Sequence, residues 1–237
     1  MRKDVLLDVI SLNAGYGGKP VLQGVDFQVR EGEVVAMIGR NGVGKSTLMK
    51  TLIGLLPTNQ GSINLRGEPI DSLSAHNRAR KGIGYVPQGR DVFPRMSVLE
   101  NLLVGESISG RKIPGKIDEV FGYFPILKER SSQRAGTLSG GQQQQLAIGR
   151  VLMGEPSMIL LDEPSEGIQP NIVQDIARIT VELNRKTGVT VVFVEQNIDM
   201  IRAMAQRCYV MDKGRIVAEL TKDMLEDRDT IRRYLSV

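Results

Sequence analysis

Gly39-Arg40-Asn41-Gly42-Val43-Gly44-Lys45-Ser46-Thr47 is the stretch on which the reading of this 237-residue chain turns. It follows the apolar run Val34-Val35-Ala36-Met37-Ile38 and leads into Leu48-Met49-Lys50-Thr51-Leu52-Ile53, whose apolar residues recur with helical and not alternating spacing. In a strand, loop, helix setting the glycines let successive backbone N–H groups turn inward around an anion, and the helix beginning near Lys45 adds the positive end of its dipole. The spacing G-x-x-x-x-G-K-[ST] brings Lys45 within reach of β and γ phosphates and gives Mg²⁺ the Ser46 hydroxyl. All nine residues are therefore expected to cradle the phosphates of a nucleoside triphosphate.

Outward from the loop, residues 158–161 and 189–194 are further continuous apolar runs, separated by helical patterns at 172–183 and 200–206. Apolar strands alternating with helices imply a mainly parallel sheet covered on both faces. Residues 5–12 and 21–29 read as short strands of an antiparallel edge region, 62–65 as a further strand, 83–86 as a short strand ending at Pro87, and 208–211 with 216–219 as a closing hairpin around Lys213-Gly214. From 97 to 153 the pattern is mainly helical, broken at Gly110, Pro114 and Pro125. The expected fold is α/β, a P-loop NTPase with a RecA-like parallel sheet, an antiparallel β subdomain and a helical subdomain inserted at about 97–153. One domain would span 1–237.

The run Met158-Ile159-Leu160-Leu161 ends in Asp162-Glu163. Ligands of open parallel sheets collect at the C-terminal ends of strands, which brings this pair toward the phosphate loop. Asp162 suits a Mg²⁺ shell, and Glu163 suits the orienting or deprotonation of a water that attacks the γ phosphorus. A polar strand end is the ordinary alternative, and the nearby cradle weighs against it.

Composition narrows the chemistry. Apolar residues at 41% and charged residues at 24% describe a chain that folds. One cysteine, Cys208, and one histidine, His76, exclude internal disulfides, thiolate clusters and His-rich zinc sites. His76 lies outside the phosphate motif, and Cys208 reads as a packed thiol. No tryptophan and ten Phe plus Tyr leave little for an aromatic nucleic-acid platform. The net charge, 31 − 27 = +4, is spread apart from groups such as Arg78, Arg80, Lys81 and Arg232, Arg233, so nucleic acid is not an expected partner. Arg2-Lys3-Asp4 is not followed by an apolar run of signal-peptide length, and no run reaches membrane-span length, so a cytoplasmic chain is expected.

Leu138-Ser139-Gly140-Gly141-Gln142 extends the picture. On its own it reads either as a cap on a Gln-rich helix or as a second phosphate-binding surface built from Ser139 and the amides of Gly140 and Gly141. Together with the phosphate loop and Asp162-Glu163 it resembles the nucleotide-binding subunit of an ABC transporter, along essentially the full chain. The resemblance implies an ATPase using ATP and Mg²⁺. Ser139 would face the γ phosphate held by the opposite subunit of a head-to-tail dimer, Gln88 would sense Mg²⁺ and couple the site to the membrane subunits, and Tyr16 would stack on adenine. It also implies two transmembrane permeases, a second ATPase chain (a heterodimer ahead of a homodimer), an indirect link to a periplasmic or surface solute-binding protein, and a peripheral place on the cytoplasmic face of the plasma (inner) membrane. Coupling helices of the permeases would dock on the helical insertion.

Two positions depart from the common family pattern. Val194-Glu195-Gln196-Asn197 carries Gln196 where a switch histidine is usual, and Ser165-Glu166-Gly167-Ile168-Gln169-Pro170 carries Gln169 where an aspartate is usual. Gln196 can donate to a γ phosphate but cannot exchange a proton, so slower or asymmetric hydrolysis is expected. These departures are similar to the ATPases of branched-chain amino acid importers and their urea or short-chain-amide relatives, and the runs 139–146 and 166–170 are more similar to the urea branch. Readings left open are a branched-chain amino acid importer, an exporter, a non-transport ABC ATPase, and a module that binds nucleotide without hydrolysing it.

Overall fold

The computed structural model describes residues 5–109 and 113–236; Gly110 and the Arg2-Lys3-Asp4 start lie outside the described residues. Two long strands open the chain, β1 (Val5–Tyr16) and β2 (Lys19–Arg30), paired antiparallel across the turn Gly17-Gly18. Register shifts along β1 carry it past the expected end near residue 12. Next come β3 (Val34–Ile38), α1 (Lys45–Ile53), β4 (Gln60–Leu65), the two-residue β5 (Glu68–Pro69), α2 (Ala75–Arg80) and β6 (Ile83–Val86). Between β6 and the next strand lie α3 (Val98–Ser109), α4 (Lys116–Tyr123), α5 (Pro125–Glu129), a 3₁₀ turn over Ala135–Thr137 and α6 (Gly140–Leu152). The chain closes with β7 (Met158–Asp162), α7 (Pro170–Thr187), β8 (Thr190–Val194), α8 (Ile198–Met204), β9 (Arg207–Asp212), β10 (Arg215–Thr221), α9 (Lys222–Glu226) and α10 (Arg228–Ser236).

The strands form two sheets, β2-β1-β4-β5 and β10-β9-β3-β8-β7-β6. In the second, every neighbouring pair is parallel except β10 with β9. All five residues of β3, β7 and β8 are buried, as continuous apolar strands require when both faces are covered. The period of two sorts them between layers. Val34, Ala36 and Ile38 join the core made with α3, α6 and α7, while Val35 and Met37 join the core made with α1 and the antiparallel sheet. The α/β architecture with a parallel sheet, an antiparallel β region and a helical region is the one expected.

Several boundaries moved for local reasons. The helix expected at 200–206 is α8 at Ile198–Met204: the Asn197 side chain accepts from Met200 N–H at 3.1 Å and starts it early, and Gln206 leaves the helix because its N–H donates to Val34 O at 2.9 Å. The helix expected at 172–183 runs from Pro170, at the first turn, to Thr187, where Gly188 at φ 72° ends it. Helices α2, α9 and α10 had no counterpart in the sequence reading. The basic group around Arg78 is not a free patch: Arg78 is 1% exposed and donates to Thr51 O, Leu52 O, Leu73 O and Asp71 O, while Lys81 pairs with Glu68 at 2.6 Å. Arg78 thus meets carbonyls left over at the C-terminal end of α1. Cys208 is buried, and burial pushes its thiol up to about 12.

Candidate functional site

The loop between β3 and α1 is shaped by glycines that nothing else can replace. Gly39 has φ 148°, and a Cβ there would sit 2.3 Å from Met211 O; Gly44 has φ 109° and faces the side chains of Val21 and Leu22. Lys45, 4% exposed, folds back so that Nζ donates to Gly39 O at 2.6 Å and Arg40 O at 2.8 Å. Burial pushes the Lys45 ammonium down in pKa, against the raising charges of Glu163, Asp162 and Glu195.

At the C-terminal end of β7, Asp162 is 1% exposed and takes hydrogen bonds from Ser46 Oγ at 3.0 Å and from the Tyr85 hydroxyl at 3.3 Å. Burial raises its pKa; the bond from Ser46 lowers it, the Glu163 charge raises it, and the net shift is upward. Tyr85 is itself pushed well above the ordinary phenol value by burial and by the Asp162 charge. Among the described residues no cluster of three or more His, Cys, Asp or Glu forms a self-sufficient metal site. A hydroxyl and one carboxylate are nonetheless a donor set suited to Mg²⁺, which fills its remaining positions with phosphate oxygens and water.

Glu163 stands in the left-handed region at φ 49°, a conformation a bulky residue keeps only when its surroundings hold it. Its N–H donates to Val194 O at 3.0 Å. Gln196 Nε2 donates to Glu163 Oε1 at 2.9 Å and to Asn41 Oδ1 at 2.7 Å. Gln88 Nε2 donates to Glu166 Oε2 at 2.9 Å and lies at 3.5 Å, a weak contact, from Glu163 Oε2. The two glutamines thus flank the carboxylate. Asn41, Lys45, Ser46, Gln88, Glu163 and Glu166 line one cavity of ≈ 320 Å³. Gln88 also lines an adjoining cavity of ≈ 490 Å³ with Asp162, Tyr85, Phe93 and Arg150. Arg150 lies over the Phe93 ring and donates to Asp91 O at 2.8 Å.

The structure therefore brings together the phosphate loop, Gln88, Asp162, Glu163 and Gln196. It does not bring Ser139, Gly140, Gly141 or Tyr16 onto that cavity. Ser139 is exposed and caps α6 by a capping box: its Oγ accepts from Gln142 N–H, and its own N–H donates to Gln142 Oε1 at 3.1 Å. Gly141 is required for packing, since a Cβ would lie 2.7 Å from Ile172. Tyr16 is 49% exposed where β1 ends. Gln169 occupies the N-cap of α7 without a side-chain capping bond. Tyr85 and Glu166 were not singled out from sequence. Glu166 carried a signal, an acid three residues after Glu163 in the same loop, whereas Tyr85 did not.

Comparison with known proteins shows the family and the fold. The family model described as ABC transporter matches residues 22–166. The high-affinity branched-chain amino acid transport ATP-binding protein BraG of Pseudomonas aeruginosa is 44% identical over 228 residues, 96% of this chain and 97% of that protein. The lipopolysaccharide export system ATP-binding protein LptB of Escherichia coli is 35% identical over 230 residues, 95% of each. Among solved structures, a nucleotide-free ATP-binding cassette from an ABC transporter superposes with TM-score 0.84 at 30% identity, covering 98% of this chain and 100% of that one.

Proposed function

Because the chain belongs to the ABC transporter family, as an ATP-binding subunit whose ATP hydrolysis is coupled to transport, we propose that its solute is taken up and that Glu163 is the base of the reaction. The observation that carries the second part is Glu163 itself, held in a left-handed backbone between two glutamine amides at the mouth of the loop that holds Lys45. The backbone amides of residues 39–47 and Lys45 bind the phosphates, Tyr16 meets the adenine, and Ser46 and Asp162, with Gln88 beside them, would hold Mg²⁺, which when bound supplies positive charge to the β and γ oxygens. Glu163 takes the proton of the water whose oxygen bonds to the γ phosphorus as the bond to the β-bridging oxygen breaks. Gln196 donates where negative charge collects, without a proton to give.

Ser139, Gly140 and Gly141 act on the opposite site of a pair of ATPase chains, a heterodimer in the assembled transporter. The exposure of Ser139 and the place of all three off the chain's own cavity support this. Two permeases, fed by a solute-binding protein, dock on the helical segment 97–153, which we take as an inserted subdomain of a single domain. Among the described residues no helix is long and apolar enough to cross a membrane; the permeases would hold the chain at the cytoplasmic face.

For the solute, the relationship to BraG favours branched-chain amino acids; the Gln142-Gln143-Gln144-Gln145 run and Glu166-Gly167-Ile168-Gln169-Pro170 favour urea or a short-chain amide. The test is ATP hydrolysis by the reconstituted transporter with its binding protein. Stimulation by leucine and not urea gives the first reading, by urea or acetamide the second, and by neither it removes both. Hydrolysis unchanged in Glu163→Gln would remove the assigned base.

A further inference from the structure

Glu195 is the last residue before the Gln196-Asn197 turn, and it is 3% exposed. Among the described residues it has no ion-pair partner, although Lys45 feels its charge. Its carboxylate is instead met by backbone. Oε1 accepts from Gln196 N–H at 2.7 Å and from Asn197 N–H at 2.9 Å, and Oε2 accepts from Ser165 N–H at 3.2 Å. Burial pushes its pKa up while those bonds pull it down. Fully donated carboxylates of this kind fix whatever supplies the donors, because each N–H to an anion is worth more than one to a neutral acceptor.

The donors come from two loops that carry the reaction. One follows β7 and holds Glu163, Ser165 and Glu166; the other follows β8 and holds Gln196. The first loop is pinned on both sides of Pro164, Glu163 N–H by Val194 O at 3.0 Å and Ser165 N–H by Glu195 Oε2. Both acceptors belong to the end of β8. Glu163 at φ 49° therefore owes its unfavourable backbone to a frame that Glu195 closes. The same carboxylate orients the Gln196 backbone, whose side chain reaches Glu163 and Asn41.

We propose that Glu195 is a positioning residue for hydrolysis: by clamping both loops it sets Glu163 and Gln196 against the γ phosphate without touching ATP. The inference rests on Glu163 as base. Nucleotide binding, which belongs to residues 39–47, does not pass through Glu195. The amide in Glu195→Gln presents one oxygen in place of two and must turn an NH₂ toward an N–H of one loop, so that one loop is released.

The test uses the assembled transporter, measuring steady-state hydrolysis, ATP affinity and melting temperature. Glu195→Gln is expected to lower kcat about tenfold, the barrier change of one displaced charge-assisted bond, with KM for ATP within about twofold. In a Glu163→Gln background the same change is expected to lower residual single-turnover hydrolysis only about twofold, through Gln196 alone, because no base remains to position. Glu195→Asp keeps the charge but is one methylene too short to span both loops, and a kcat between the other two is expected. Unchanged kcat in folded Glu195→Gln or Glu195→Asp, an equal fall in ATP affinity, or a full tenfold loss in the Glu163→Gln background overturns the proposal. Loss of turnover in Glu163→Gln with none in Glu195→Gln would sink this inference alone; no loss in Glu163→Gln would sink the base assignment as well.

Discussion

The two ends of the parallel sheet treat buried carboxylates in opposite ways. At the N-terminal ends of the strands Glu33 accepts from Arg207 Nε and Nη2 at 2.8 Å each and from Arg30 N–H at 2.9 Å. Burial raises its pKa, but these bonds and the Arg207 and Arg30 charges outweigh it and hold it below the ordinary value. Arg207 also donates to Glu219 and Gln28 O and lies over the Tyr209 ring, so the cluster is saturated. At the C-terminal ends, Asp162 and Glu195 have hydroxyl and amide donors and no ion pair among the described residues, and burial carries both pKa values upward. One end is arranged to stay as it is. The other compensates buried charge with dipoles alone, and at Asp162 beside Ser46 that leaves a carboxylate which a cation would stabilise.

Changes at the two ends should therefore separate activity from stability. Glu163→Gln is expected to have the largest effect, a loss of about 10³-fold in kcat by removal of the proposed general base, with ATP binding and melting temperature retained; a comparable fall in stability would erase the contrast. Arg207→Ala should do the reverse, lowering unfolding free energy by about 3 kcal/mol because the buried Glu33 loses both Arg207 hydrogen bonds and keeps only the half-exposed Arg30 guanidinium at 3.6 Å, with turnover per folded molecule unchanged. Denaturant titration alongside ATPase assays checks both. Tyr16→Ala should weaken ATP binding about fivefold to tenfold through lost stacking, read by nucleotide titration, with Tyr16→Phe near wild type.

The smallest effect is a difference of sign. Asp162→Asn is expected to gain stability at neutral pH, on the order of 1 kcal/mol, while abolishing Mg²⁺-dependent turnover. A raised folded pKa means the charged form destabilises the fold, a penalty present above the folded pKa and relieved as pH falls toward the ordinary 3.8. Glu33→Gln should instead lose stability at neutral pH. The wild-type advantage from a depressed folded pKa is full above the ordinary 4.5 and vanishes as pH falls through the folded value. Melting temperatures of the two variants between pH 7 and pH 3 should thus converge on wild type from opposite sides, and parallel curves would contradict the comparison.

The same division explains what could be read from the sequence. Residues 39–47 and Asp162-Glu163, which the fold brings together, were legible because they are written within a few consecutive residues, as was the cap that Ser139 places on α6, and β3, β7 and β8 because a fully buried strand is apolar at every position. Arg78 was not, since its acceptors on α1 lie 26 and 27 residues away and a buried arginine looks like any other in a basic run. Arg207 and Glu33 are 174 residues apart. Glu195 was quoted only as a neighbour of Gln196: nothing in a string of letters says that a glutamate turns inward to collect three N–H groups. Helix α10 did carry a signal that was passed over, Ile231, Tyr234 and Leu235 at helical spacing, but over nine residues with four charges it is too short to stand out.

Lys45 has a further consequence. Its ammonium is already out of water and already satisfied by Gly39 O and Arg40 O. An anion reaching the cavity that Lys45 lines has no long side chain to immobilise, since that penalty was met when the chain folded. Under the proposed function, nucleotide entry at this position is a change of acceptor, from two carbonyl dipoles to a full anion.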